Sequence, residues 1–319
     1  MAATARVDDV PGGTPAGTTT ESLASLTPGE AGAALGTTPS EQQAVRDIAR
    51  RKARRTVVVR SIQIIIVILL ILGWQFLPGV PGIQGPFPWL NTFFISSPTL
   101  VAQQLGYLAT GAQGATQIWG PFAQTILTAL AGTLSAMVVG TIAGIAVSNW
   151  RMLADVTRPF LVVVNAVPKV AIIPIIILIV HDAVAAAIVT SFISVFFLAF
   201  YNAAEGASSV PREMIQNAEL LGAGKLRVML RVRSPYAIGW TLAALPNAIA
   251  FGLTATVTAE IILGGSGLGY QMLLALNNSN SSLLLAIVLI VAIVGVALVL
   301  GATALRRVIL PWWESSQGA

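Results

Sequence analysis

Two ionisable side chains, Lys169 and Glu260, fall inside long apolar stretches of a 319-residue chain. A charge there has two chemical uses: it meets an oppositely charged solute, or it carries an ion or proton across the stretch. Counted from Arg158, Lys169 sits eleven residues into an apolar segment, about 16 Å along a helix rising 1.5 Å per residue. A lysine at that depth costs roughly 2.5–3.5 kcal/mol on insertion scales, so it is expected to face protein or water. Snorkelling toward the near surface is the alternative, favoured if Pro168 starts the segment later. Other chemistry has little to work with. His181 is the only histidine and there is no cysteine, which removes thiolate sites, disulfides and a histidine-based metal site or triad. Gly224-Lys225 is followed by Leu226, and Glu219 stands where a phosphate loop needs its first glycine, so no such loop forms. The GGSGLG run at 264–269 follows an apolar helix and reads as a turn, not a dinucleotide fingerprint.

The elements that position these residues are membrane spans. Hydrophobic residues make up 55% of the chain, charged residues only 10%, and mean hydropathy is +0.80; a soluble domain carries about 25% charged residues. Residues 1–45, rich in Ala, Gly, Thr, Pro and Ser, lack the apolar content for a core and read as a disordered cytoplasmic tail without a signal peptide. A basic juxtamembrane segment, 46–60, holds Arg46, Arg50, Arg51, Lys52, Arg54, Arg55 and Arg60. It reads as a cytoplasmic anchor against membrane lipid, not a nucleic-acid patch. From Ser61 to Trp150 there is no charged residue. Spans are expected at about 57–77, 122–147, 159–180, 183–203, 236–262 and 283–305. The third is interrupted by Pro168, Lys169 and Pro174, and the fifth contains Pro246. Gly132, Ala136, Gly140 and Gly144 recur at four-residue steps in the second span, a stripe that lets another helix approach closely. SPTLVAQQLGYLA reads as a short outer helix, and GGSGLGYQM with LNNSNSS as the last outer loop.

One polar, charged stretch, Ser209 to Pro235 within a loop at 205–235, separates the fourth and fifth spans. Pro211 suits a first helical turn and Glu213 the positive end of a helix dipole. Met214, Ile215, Ala218 and Leu221 fall at helical spacing, and Gly222 supplies a left-handed stop. A second helical run, 225–232, is expected to end at Pro235. This stretch resembles the cytoplasmic EAA loop of ABC-importer permeases. Gln216-Asn217-Ala218 stands for the Glu-Ala-Ala triplet, Gly222 is the glycine, and Val232-Arg233-Ser234-Pro235 is the hydrophobic-x-x-Pro ending. The spacing matches, while Gln216 and Asn217 depart from the pattern.

Further resemblance, over roughly 97–310, is to the nitrate/sulfonate/taurine branch of type I ABC-importer permeases. It rests on Ser97-Pro98, on VPKVAIIP at 167–174, and on TAEIILGGSGLG at 258–269. Ile179-Val180-His181 replaces the Trp-Phe-Gly usual at the end of the third span. The resemblance implies an all-α polytopic fold with six transmembrane helices, its permease domain at 61–310 and a short cytoplasmic tail at 311–319. It implies no catalysis and no cofactor bound by this chain. ATP is used by a partner ATPase. A second copy of the chain, two ATP-binding-cassette subunits and an extracytoplasmic substrate-binding protein are the implied partners. The 209–224 helix, with Glu213, Gln216, Asn217, Ala218, Gly222 and Pro235, would meet the ATPase; Lys169, Pro174 and Glu260 would lie on the pathway of a small anionic solute. The rival class is a secondary ion-coupled transporter, which needs embedded ionisable groups and often inverted repeats. Only Lys169 and Glu260 could serve it, and no repeat is visible.

With the N-terminus inside, every Lys and Arg except Lys169 falls on a cytoplasmic segment or its flank, which places both termini on the cytoplasmic side of the cell membrane. Single cysteines at Ser279 and Ser316 of this cysteine-free chain are therefore expected to differ. An impermeant thiol reagent added outside should label position 279 and not 316, and labelling at 316 would overturn the orientation.

Overall fold

In a computed structural model the described residues are 39–80, 91–112, 117–150, 152, 156, 159, 160, 163, 164 and 166–311. Most of the expected N-terminal tail and of the tail at 311–319 therefore lies outside them, as does most of the turn around Arg151 and Arg158. Among the described residues every regular element is helical. The chain divides into two units, 1–73 and 74–319.

Helix α1, Pro39–Phe76, begins within the stretch expected as tail and supplies the first unit. Its apolar part, Arg54–Phe76, is 23 residues long, about 35 Å at 1.5 Å per residue and enough to cross a hydrocarbon core of about 30 Å. In the second unit α2, Pro98–Thr110, is the short helix expected at SPTLVAQQLGYLA. It is capped by the Ser97 side chain on the Leu100 N–H and closed by left-handed Gly111. Next come α3, Trp119–Asn149, α4, Lys169–Val180, and α5, Ala183–Ser208, whose Asp182 cap accepts from the Ala185 N–H. The loop carries α6, Arg212–Leu220, and α7, Lys225–Val228. They lead into α8, Ser234–Ala243, α9, Leu245–Leu263, α10, Leu268–Asn277, and α11, Ser281–Ile309.

Among the described residues five helices are long and apolar enough to cross a membrane: the Arg54–Phe76 part of α1, then α3, α5, α9 and α11. The third expected span differs. The described residues 159, 160, 163, 164 and 166 are helical, the helix breaks at extended Pro168, and it resumes as α4, 12 residues from Lys169. A proline disfavours helical backbone in the residue before it, here Val167, so the break falls where the chain is stiffest. The fifth span is broken at Ala244 into α8 and α9, because Pro246 has no N–H to donate and its ring crowds the Leu242 carbonyl.

Pro235 does not end a helix as expected. Residues Met229–Arg233 form a π-helical turn that runs directly into α8, with Pro235 in the first turn of α8. The wider turn relieves the clash between a proline ring and the carbonyl four residues earlier, so the chain continues as helix. The last outer segment is likewise not a plain loop. Leu268, Gly269 and Ala275 are buried on α10, and that apolar face folds the segment onto α9 and α11.

The core is built on the small-residue stripe of α3. Gly132, Ala136, Gly140 and Gly144 are buried against Ser191, Val195, Ala199 and Ala203 of α5, which are also buried. A β-carbon at Gly140 would stand 2.8 Å from the Phe196 carbonyl oxygen, and one at Gly144 2.5 Å from that of Phe200. Backbone therefore lies on backbone, the geometry by which helices associate in lipid. Leu245, Ala248 and Ile249 of α9 and Ala302 of α11 complete the same cluster. Gly144→Ala is expected to destabilise the protein by about 1–3 kcal/mol through overpacking. Gly301→Ala, where a β-carbon meets open space, serves as control. Thermal unfolding in detergent measures both, and equal midpoints would contradict the packing.

Candidate functional site

A cavity of about 470 Å³ opens between α4, α5 and α9. From α5 it takes Thr190, Ser194, Phe197, Leu198 and Tyr201, positions that recur on one face of a 3.6-residue helix. From α9 come Phe251, Thr254, Ala255 and Thr258, and from α4 Lys169, Val170 and Ile173. Lys169 is the one charged residue in this lining. It is half-buried, and no hydrogen bond or ion pair to its ammonium is found among the described residues. Lys169 is the first residue of the helix that follows the Pro168 break, one of the interruptions expected in the third span.

The hydroxyls of the lining differ in what they offer. Thr190 donates to the Ala186 carbonyl, Thr254 to Ala250 and Thr258 to Thr254, each at 2.8 Å. Their single O–H is spent within their own helix, and they present acceptor lone pairs to the cavity. Lys169 is a donor only. An anionic group therefore has one strongly favourable partner, and the remaining walls are apolar or weakly polar. The sequence reading missed Thr190, Ser194, Tyr201, Thr254 and Thr258. Their signal was available as hydroxyls recurring at helical spacing in apolar spans, but without the fold nothing shows which face they occupy.

Two residues expected on the pathway do not line this cavity. Pro174 sits inside α4 and is exposed, outside the cavity lining. Glu260 is only 4% exposed and its carboxylate points into the protein. It accepts from the Thr125 hydroxyl at 2.9 and 3.0 Å and from the Gly269 N–H at 2.9 Å. Thr125 in turn accepts from the Leu268 N–H at 2.8 Å. Glu260 and Thr125 together cap the start of α10 and tie it to α9 and α3. A carboxylate placed against free N–H groups at a helix start is satisfied by hydrogen bonds and by the dipole, which is why it faces away from the cavity.

The second candidate region is α6. Glu213 occupies its first turn; Gln216 and Asn217 are exposed and Ala218 is half-buried. The Ala223 N–H bonds the Ala218 carbonyl and the Gly222 N–H the Glu219 carbonyl, both at 2.9 Å. This pair is the Schellman closure of a helix, and Gly222 adopts φ +81°, as its spacing predicted. The expected apolar face is only partly formed. Ile215 and Ala218 are half-buried, whereas Leu221 lies beyond the helix end and, with Leu220, is almost fully exposed at 88% and 85%. Two adjacent exposed leucines beside polar residues make a compact apolar tip. The Tyr236 hydroxyl donates to Met214 Sδ at 3.2 Å, linking α6 to the start of α8.

Comparison with known proteins adds a family. The sequence model of binding-protein-dependent transport system inner membrane components matches residues 136–315. A probable ABC transporter permease protein of Haemophilus influenzae is 28% identical over 235 residues, 74% of this chain and 91% of its own length. The taurine transport system permease protein TauC of Escherichia coli is 26% identical, covering 70% of this chain and 82% of its own. The nitrate import permease protein NrtB of Synechocystis is 28% identical, over 52% of this chain and 61% of its own. Among solved structures, the MetNI methionine ABC transporter in an inward-facing conformation superposes with a TM-score of 0.52 at 15% identity. The match covers 58% of this chain and 93% of that one, and it shows the fold of a type I importer permease.

Proposed function

The chain belongs to the family of binding-protein-dependent transport system inner membrane components, and from that membership we propose that it forms the membrane path of an importer for a small anionic solute, driven by a separate ATPase. The observation that carries this reading is α6, an exposed helix with an apolar tip, closed by a glycine-dependent turn and set between the long apolar helices α5 and α9. Such a helix has no task in holding the spans together and fits the surface of a partner. In this reading two copies of the chain face one another and two ATPase subunits seat the two α6 helices. An extracytoplasmic binding protein delivers the solute, and closure of the ATPases on ATP drives alternating access. The chain itself carries out no chemistry.

Support for an anionic solute comes from Lys169, the one charged residue lining the cavity, and from relatives named for taurine and nitrate, both of which present anionic oxygens. A secondary ion-coupled mechanism loses one of its two candidate groups, since the Glu260 carboxylate is held by Thr125 and Gly269 away from the cavity.

Gly222→Asp tests the coupling. A side chain at φ +81° meets no neighbouring atom within 4 Å, so the strain is confined to the backbone, about 1 kcal/mol or more. The variant is expected to fold and insert while ATP-driven uptake in proteoliposomes is lost; normal uptake would remove α6 from the coupling role. Lys169→Met is expected to abolish uptake of an anionic probe such as taurine while expression and ATPase binding persist, and Lys169→Arg to retain part of it. Full uptake by the methionine variant would exclude Lys169 from the path, and failed assembly would assign it a structural role.

A further inference from the structure

Between the coupling loop and α8 the helix changes its winding. Met229–Arg233 is a π-helical turn, and such turns leave a carbonyl or a side chain pointing where a regular helix would not. Here the side chain that emerges is Arg233. Its Nη1 donates at 3.2 Å to the Ser148 carbonyl in the last turn of α3, a residue 85 positions away in sequence. The match is electrostatically apt, since the C-terminal end of a helix carries unpaired carbonyls and partial negative charge. One turn further on, Tyr236 holds Met214 of α6. On the other side of the contact, α3 is locked to α5 by glycines that leave no room for a β-carbon, and α5 supplies Thr190, Ser194 and Tyr201 to the cavity. An unbroken series of contacts therefore runs from α6 through Tyr236 and Arg233 into the α3–α5 pair and the cavity wall.

We propose that Arg233 is the positioning residue that converts displacement of α6 into displacement of the α3–α5 pair. This rests on the reading of α6 as the ATPase contact. Without Arg233, α6 would still bind its partner, but its movement would be absorbed in the π turn and would not reach α3. The guanidinium suits the task because it keeps its charge and its planar donors in a partly buried place. Arg233→Gln keeps a donor without the charge or the reach, Arg233→Lys keeps the charge, and Tyr236→Phe removes the hydroxyl at the other end of the link.

The test uses the whole importer in nanodiscs. The absence of native cysteine allows one spin label per chain at Val138→Cys, a position on α3 that is 60% exposed and outside the cavity lining. Pulsed electron resonance then reads the label-to-label distance between the two copies before and after trapping with ATP, magnesium and vanadate. The parent should show a trapping-dependent shift. Arg233→Gln should co-purify with its ATPase and hydrolyse ATP, yet lose the shift and lower ATP-driven taurine uptake about fivefold, within the range that residues on a coupling path produce. Arg233→Lys should recover part of both, and Tyr236→Phe should lose part of both. An unchanged shift in Arg233→Gln overturns the proposal, as does loss of ATPase co-purification in that variant, which would make the contact structural. A Gly222→Asp importer that keeps the full shift contradicts the coupling reading of α6 itself, so the two failures are distinguishable.

Discussion

Close approach of α3 and α5 is the constraint on which the second unit depends. In lipid the hydrophobic effect gives apolar helices little reason to associate, so they associate through fit. Gly132, Gly140 and Gly144 provide that fit by bringing one backbone against the other, and α9 uses the same device where Gly252 approaches Thr133. The cavity wall on α5 therefore takes its position from α3. Breaks in regular winding flank this pair, at Pro168 before α4, at Ala244 between α8 and α9, and in the π turn before α8.

The polar groups of the second unit are divided in an orderly way. Glu260 and Thr125 are consumed in building α10, threonine hydroxyls on the cavity wall donate into their own helices, and Lys169 is left facing the cavity. Through this division both charges are held with no ion pair to either among the described residues. The carboxylate is satisfied by N–H and O–H donors, and the ammonium has access to an open space. The charge that builds the fold and the charge that lines the cavity are therefore different residues on different helices.

Much of this was legible in the sequence wherever a local rule was strong. Five of the six expected spans followed from apolar length, the α3 stripe from four-residue spacing of small residues, α2 from the SPTLVAQQLGYLA run, and the end of α6 from Gly222. What escaped was whatever depends on distant partners. Pro235 reads as a helix stop until a π turn absorbs its ring. The 264–282 segment reads as a loop because its glycines and asparagines outweigh Leu268, Met272 and Ala275, whose burial depends on α9 and α11. Glu260 reads as a pathway group because its partner Thr125 lies 135 residues earlier. Within the cavity, Lys169 stood out by its charge alone. The hydroxyl residues did not, since their facing is a property of three helices together.

The contact between Gly267 and Glu260 carries a consequence for how this chain can vary. Gly267 adopts φ +135°, and a β-carbon there would overlap the Glu260 carboxylate. A substitution at 267 therefore meets two separate obstacles, a backbone that only glycine adopts freely and a space already filled. Shortening residue 260 lifts the second obstacle and leaves the first, while also removing the cap of α10. The effects of the two substitutions cannot add, because each changes what the other costs. The two positions, seven residues apart in the chain, are held to one joint solution.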